Sequence, residues 1–161
     1  MVGSEVSPYG MELGITYPSP DLDGLLAASQ AAKGDWKRAG IDACVGACLE
    51  MLDRLNKRSF EIANAVMHTT GQGFMMALQA GGPHAQDRGL EAIAYAWQEM
   101  HRCPPTATST KRVSKTDSVT LEKTYHVVPR GIAVTVGCST FPTWNSYPGL
   151  FASLATGNSV V

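Results

Sequence analysis

The feature that most limits how this chain can fold is a single change of hydrophobic period, at Cys103-Pro104-Pro105. Upstream, apolar side chains recur every three or four residues, the spacing of one helical face. Downstream they alternate every second residue or run together, as strands require. Two consecutive prolines end any helix that reaches them, because proline lacks a backbone N–H and disfavours helical geometry in the residue before it. The expected class is therefore α/β, with the helices first.

Through Pro20 the chain is rich in Gly, Ser and Pro without a period, and a loose surface lead-in is expected there. From Ser19 to about Gly34, a Ser/Asp capping signal precedes Leu22, Leu25, Leu26, Ser29 and Ala32 on one face of a first helix. Val45, Cys48, Leu49, Leu52 and Leu55 predict an amphipathic helix from Ile41 to Lys57, closed by Lys57 and Arg58 where the dipole favours cations. Ser59 is expected to cap a third helix carrying Ile62, Ala65, Val66 and His68, which stops at Gly71. Further helices are expected over Phe74 to Leu78 and Gln86 to Met100, with Gly81-Gly82-Pro83 as a turn.

Beyond the prolines, Val119, Leu121, Lys123, Tyr125 and Val127 alternate with Thr120, Glu122, Thr124 and His126, predicting a half-buried strand. After a turn at Pro129-Arg130-Gly131, the run from Ile132 to Val136 predicts a strand buried on both faces of a parallel sheet. A loop with Pro142 and Pro148, a helix near Gly149 to Ala155 and a strand starting at Ser159-Val160-Val161 complete the opening of a βαβ unit. This divides the chain into a lead-in (1–20), a helical region (21–105), a strand arm (106–128) and the start of a Rossmann-like domain (129–161).

Thirteen basic against fourteen acidic residues leave a net charge near zero. No basic block interleaves with aromatics, so a nucleic-acid surface is not expected. The start has no basic region followed by an apolar core, and no apolar run approaches the roughly 18 residues of a membrane span, so a cytoplasmic location is expected. Cys44, Cys48, Cys103 and Cys138 are then free thiols. Cys44 and Cys48 share a helical face, but no further ligand follows at zinc spacing, so packing is favoured over a metal site. His68, His84, His101 and His126 are scattered and make no paired motif. Gly71-Gln72-Gly73 follows a helix and lacks a third glycine, which suits a helix stop better than a phosphate loop. Trp36, Trp97 and Met75-Met76 are expected in the core.

The stretch Gly137-Cys138-Ser139-Thr140-Phe141-Pro142-Thr143-Trp144-Asn145 follows the predicted Ile132–Val136 strand. Open α/β sheets bind ligands at the carboxyl ends of their strands, so this stretch is a candidate site; a purely structural turn is the even alternative.

The same stretch carries a family resemblance. Pro129-Arg130-Gly131-Ile132-Ala133-Val134, Phe141-Pro142 and Leu154-Ala155-Thr156-Gly157-Asn158-Ser159-Val160-Val161 resemble the "P-x-G-V", "N-F-P" and "L-A-x-G-N-x-V-V" motifs of the aldehyde dehydrogenase superfamily. Upstream, Trp36, the helix from Ile41 to Lys57 and Thr69-Thr70-Gly71-Gln72 resemble the region that ends in "E-T-G-K". The wording from Cys138 to Asn145, with Tyr147-Pro148-Gly149-Leu150-Phe151, is similar to a branch concerned with phenylacetic acid degradation.

The resemblance implies the amino-terminal part of an enzyme that oxidises an aldehyde through a cysteine thiolate, an oxyanion hole and hydride transfer to NADP or NAD. Counting back from Gly157-Asn158 puts the oxyanion-hole position on Thr140, with Asn145 as the fallback. Gly137, Cys138 and Ser139 would line the nicotinamide side, and Phe141 the substrate tunnel. The nucleophile and general base would lie beyond Val161, so this chain alone is expected to be inactive. The arm from about Lys111 to Val128 would join subunits into a homo-oligomer. The competing expectation is an inactive interaction module that pairs through this arm.

Overall fold

The computed structural model describes residues 3–19 and 21–161; Met1, Val2 and Pro20, at the ends of the expected lead-in, lie outside the described residues. The elements are α1 (Leu22–Ala39), α2 (Ile41–Lys57), α3 (Ser59–Thr70), α4 (Phe74–Gly81), α5 (Pro83–Met100), β1 (Thr106–Arg112), β2 (Ser118–Thr124), β3 (Ile132–Ala133), α6 (Pro142–Ala155) and β4 (Ser159–Val160). No helix among the described residues is long and apolar enough to cross a membrane.

The core lies where α5 meets α2 and α6. Val45, Cys48 and Leu52 from α2 pack with Ala85 and Ile93 from α5 and with Tyr147, Phe151 and Ala155 from α6. Gly89 makes this contact possible: a Cβ there would stand 2.9 Å from Phe151 Cδ2 and 3.1 Å from Leu52 Cδ2. Burial keeps the thiols of Cys44 and Cys48 protonated, and Cys48 is pushed up to about 11. Cys48 therefore acts as a small apolar side chain, while the Cys44 thiol donates to Trp36 O at 3.3 Å.

α3 and α4 form a second pair, closed through Ala63 and Val66 against Ala77, Ala80 and Gly81. Gly71 ends α3 in the left-handed conformation, with φ 78, where a side chain is strained. Ser59 is not the cap expected for α3. It is the first helical residue, its hydroxyl donates to the Asn56 carbonyl, and it accepts from Gln86 Nε2 at 3.0 Å.

The first helix begins where expected, with Asp21 accepting from Gly24 N at 3.1 Å, but runs on to Ala39. None of its residues is buried, and Leu22, Leu25 and Leu26 face outward. Its firm attachment is Trp36, whose Nε1 donates to Leu154 O at 2.9 Å. Trp36 is half-buried, whereas Trp97, Met75 and Met76 are exposed, contrary to the core position expected of them.

The lead-in is also less loose than its composition suggests. Ser7 is 2% exposed, and its hydroxyl shares a hydrogen bond with His68 Nδ1 at 3.2 Å. Tyr9 OH donates to Gln72 O at 3.1 Å, tying the segment to the end of α3.

Two further corrections concern strands. The arm is a hairpin, β1 antiparallel to β2 in full register from Thr106↔Thr124 to Arg112↔Ser118, and the whole of β2 is exposed instead of half-buried. The expected Ile132–Val136 strand pairs only over Ile132–Ala133, in parallel with β4. Val134 is 72% and Val136 83% exposed, because no strand among the described residues covers their other sides. The βαβ connection itself is present as β3, α6 and β4.

Candidate active-site turn

The Thr135–Phe141 segment leaves the carboxyl end of β3 and enters α6, so its position follows from how these two elements are held. Thr135 N donates to Val161 O and Val161 N to Ala133 O, both at 2.9 Å, continuing the pairing just past each strand. At the opposite end of β3, Gly131 N donates to Asn158 Oδ1 at 2.9 Å. One side chain thus joins the Pro129-Arg130-Gly131 turn to the Gly157-Asn158 turn. Gly157 takes φ 83, which favours glycine.

α6 starts at Pro142, earlier than the helix expected near Gly149, and its first half occupies the expected loop. Pro142 sits at the start, where the missing N–H costs nothing in helical bonding. Pro148 lies inside and removes one helical bond, a defect of about 3 kcal/mol in an isolated helix. Tyr147, Phe151 and Ala155 are buried against the other helices and offset that loss. Trp144 and Asn145 consequently stand on the first turn of a helix, not in a loop.

Cys138 is exposed, and its sulfur accepts from Phe141 N at 3.3 Å and from Asn145 Nδ2 at 3.1 Å. Foremost the Phe141 N–H, then lesser contributions from the Thr140 backbone and the Asn145 amide, holds this thiol below the usual range. Asn145 Nδ2 also donates to Phe141 O at 3.1 Å, so both protons of its amide are engaged within the turn. Thr140 and Ser139 are exposed, and the Thr140 carbonyl accepts from the Gln72 side-chain amide. The rest of that amide, Gln72 Oε1, is buried without a partner among the described residues. A Cβ at Gly137 would collide with Ser146 Oγ, so glycine is needed there for the chain to pass close to α6.

Gln72 reaches this turn from the end of α3, and Thr143 Oγ1 donates to Gly81 O at 2.8 Å from the other side. Trp144 meets Phe141 edge-on at 5.6 Å, and Arg88 of α5 lies 5.3 Å from the Trp144 ring centroid. Gly137, Cys138, Ser139, Thr140, Phe141 and Asn145, the residues expected at the site, lie in this turn and the first turn of α6. Gln72 and Arg88, which were not expected there, contact the same region. Gln72 stands in the segment similar to "E-T-G-K", which is the one signal that pointed toward it; Arg88 had none.

A cavity of about 360 Å³, lined in part by Ile41, Cys44, Met100, His126, Pro129 and Gly157, opens at the amino ends of β3 and β4. Ligands of open α/β sheets bind at the other end. No group of three or more metal-ligating side chains occurs among the described residues.

No family model matches this sequence, and no curated protein matches it. Solved structures do. The chain is similar to an NAD-dependent aldehyde dehydrogenase from Burkholderia multivorans, with 58% identity and a TM-score of 0.95 over 99% of this chain and 28% of that one. An NADP-dependent glyceraldehyde-3-phosphate dehydrogenase from Bacillus halodurans C-125, complexed with NADP, matches with a TM-score of 0.73 at 20% identity, over 98% of this chain and 32% of that one. Proline utilization A, with proline bound in remote sites, matches with a TM-score of 0.64 at 19% identity, over 91% and 14%. The last two share the fold alone.

The chain therefore has the fold of part of an aldehyde dehydrogenase and is similar to one in sequence. It spans 28% of the length of the Burkholderia multivorans protein.

Proposed function

We propose that the chain is the amino-terminal part of an NAD(P)-dependent aldehyde dehydrogenase and that its 137–141 turn forms one wall of the active site. The 58% identity to an NAD-dependent aldehyde dehydrogenase, held across nearly the whole chain, carries this reading. In it, 21–105 is the helical region, 106–128 an arm that joins subunits of a cytoplasmic homo-oligomer, and 129–161 the opening of the NAD(P)-binding domain. The substrate is an aldehyde formed in phenylacetate or other aromatic acid breakdown, as in the phenylacetic acid degradation protein PaaN. Support for that finer assignment is the similarity of the Cys138–Asn145 wording to that branch.

The turn suits a nicotinamide cofactor in kind. Cys138 and Ser139 are exposed, the first turn of α6 has no acidic residue, and its leading N–H groups lack helical acceptors. A nicotinamide held there would supply the acceptor for the hydride lost by the substrate carbon. Gly137, Cys138 and Ser139 line its side of the site, and Phe141 borders the path of the aldehyde. Thr140 donates its hydroxyl hydrogen to the developing oxyanion. Asn145 is the weaker choice for that role, because its amide protons are already engaged by Cys138 and Phe141.

The test is aldehyde-dependent formation of reduced nicotinamide by the complete protein, by its Thr140→Val variant and by residues 1–161 alone. Turnover by the complete protein, a fall in kcat of about tenfold or more in the variant and none in the isolated chain are expected. Absence of turnover by the complete protein refutes the reading. An isolated chain that merely pairs through its arm is the outcome expected of an interaction module.

A further inference from the structure

The Thr140–Phe141 peptide is held at both of its polar ends by side chains. Its carbonyl accepts from Gln72 Nε2, and its N–H donates to Cys138 Sγ at 3.3 Å. Cys138 belongs to the turn itself, whereas Gln72 comes from the loop between α3 and α4. Because a peptide unit is planar, a donor that fixes the carbonyl also sets the direction of the N–H on its far side. Polarising the carbonyl strengthens that N–H as a donor.

Gln72 is itself firmly placed. Its N–H donates to Thr70 Oγ1 at 3.2 Å, and its carbonyl accepts from Tyr9 OH at 3.1 Å. The preceding residue, the left-handed Gly71, lies so close to the lead-in that a Cβ there would stand 3.2 Å from Pro8 Cβ. The side-chain amide has one workable orientation. Reversed, its Oε1 would oppose the Thr140 carbonyl, two acceptors with no proton between them. With Oε1 buried and unpartnered, the bond to Thr140 is the one this side chain makes among the described residues.

We infer that Gln72 is a positioning residue: by holding the Thr140 carbonyl it turns the Phe141 N–H toward Cys138 Sγ and keeps the Thr140 side chain at the place of the oxyanion donor. The second part rests on the proposed role of Thr140, whereas the first stands on the geometry of the turn. Cys138 is the reporter. Hydrogen bonds hold its thiol below the usual range, the Phe141 N–H foremost, and no charged side chain contributes; the Arg88 guanidinium lies against the Trp144 ring instead.

The test uses the complete protein, Gln72→Met, which keeps the length of the side chain without its donor, and Gln72→Lys, which restores a donor. Alkylation of Cys138 by iodoacetamide at about pH 7, read by peptide mass mapping, should slow about threefold or more in Gln72→Met, with its pH profile displaced upward. In aldehyde oxidation, kcat should fall about tenfold or more with KM nearly unchanged, and Gln72→Lys should recover most of the loss. A Gln72 that only packs the loop would leave the alkylation profile where it is. Wild-type alkylation of Cys138 in Gln72→Met overturns the inference, as does an unchanged kcat. Should Gln72→Met fail to fold, Gln72→Leu takes its place in both measurements, with the same outcomes deciding. If the complete protein oxidises no aldehyde, the functional reading fails, and the alkylation profile judges Gln72 by itself: upward displacement supports its hold on the peptide, and coincidence with wild type overturns it.

Discussion

The α2–α5–α6 layer and the β2 strand of the β1–β2 hairpin both carry a hydrophobic period, yet only the first uses it among the described residues. Cys48 and Phe151 are 0% exposed in the helical layer, whereas Val119 and Leu121 in β2 are 46% and 51% exposed. The hairpin is not badly formed: its backbone register is complete, and Thr110 and Thr120 share a cross-strand hydrogen bond at 2.9 Å. Its two strands are fully paired with each other, but its apolar side chains are left without cover. Periodicity therefore states which face requires cover, while the cover itself depends on what else is present. The whole chain shows the same excess, exposing 10674 Å² against about 7,700 Å² for a compact monomer of this size.

The strongest way to break this contrast is Phe151→Ala. Removing the largest fully buried side chain of the layer should cost about 3–5 kcal/mol in urea unfolding. A loss as small as that of a surface substitution would mean that the layer is not the stabilising core. Gly89→Ala tests the same contact from the other side. Overpacking against Phe151 and Leu52 should cost about 1–3 kcal/mol, read as a lower urea midpoint at unchanged slope.

A third comparison uses thiols. Near about pH 8, Cys138 should be alkylated at least about tenfold faster than Cys48. The Phe141 N–H lowers the Cys138 value, so its thiolate forms at lower pH than an unperturbed thiol; burial, aided by Cys44, holds Cys48 near about 11. The linked stability has opposite signs at the two sites. The Cys138 contribution appears above the unfolded thiol value and is lost as pH falls through the depressed folded value. The Cys48 contribution is present below the unfolded value and is lost as pH rises toward about 11. Equal alkylation rates would contradict the turn geometry. The smallest effect belongs to the hairpin, where Leu121→Ala should change the stability of residues 1–161 by less than about 0.5 kcal/mol.

Much of the helical layer was legible because its signals are local. The Ile41–Lys57 span is observed as expected, and Gly71 ends α3 as a left-handed glycine should. The amino-terminal half of α6 was illegible because Pro142 and Pro148 read as breakers. Position excuses the first, and burial of Tyr147 and Phe151 outweighs the second. Thr106, Thr108 and Thr110 alternate within β1, but short polar side chains carry no hydrophobic period, so that strand was not seen separately. Ile132–Val136 shows the converse: β-branched side chains announced a covered strand, and only Ile132–Ala133 found a partner. At the site, the turn was visible through its motif. The contacts of Gln72 and Arg88 were not, because Gln72 arrives from the loop between α3 and α4 and Arg88 from α5, each more than fifty residues away in sequence.

On the proposed reading, the open strands and the arm are faces that the rest of a dehydrogenase covers. Hydrogen exchange measured on residues 1–161 alone and within the complete enzyme tests it directly. Slow exchange in α2, α5 and α6 is predicted in both, with β2 and the Val134–Val136 segment exchanging fast in the isolated chain and slowly in the complete enzyme. Equally fast exchange of β2 and Val134–Val136 in the complete enzyme would contradict the account.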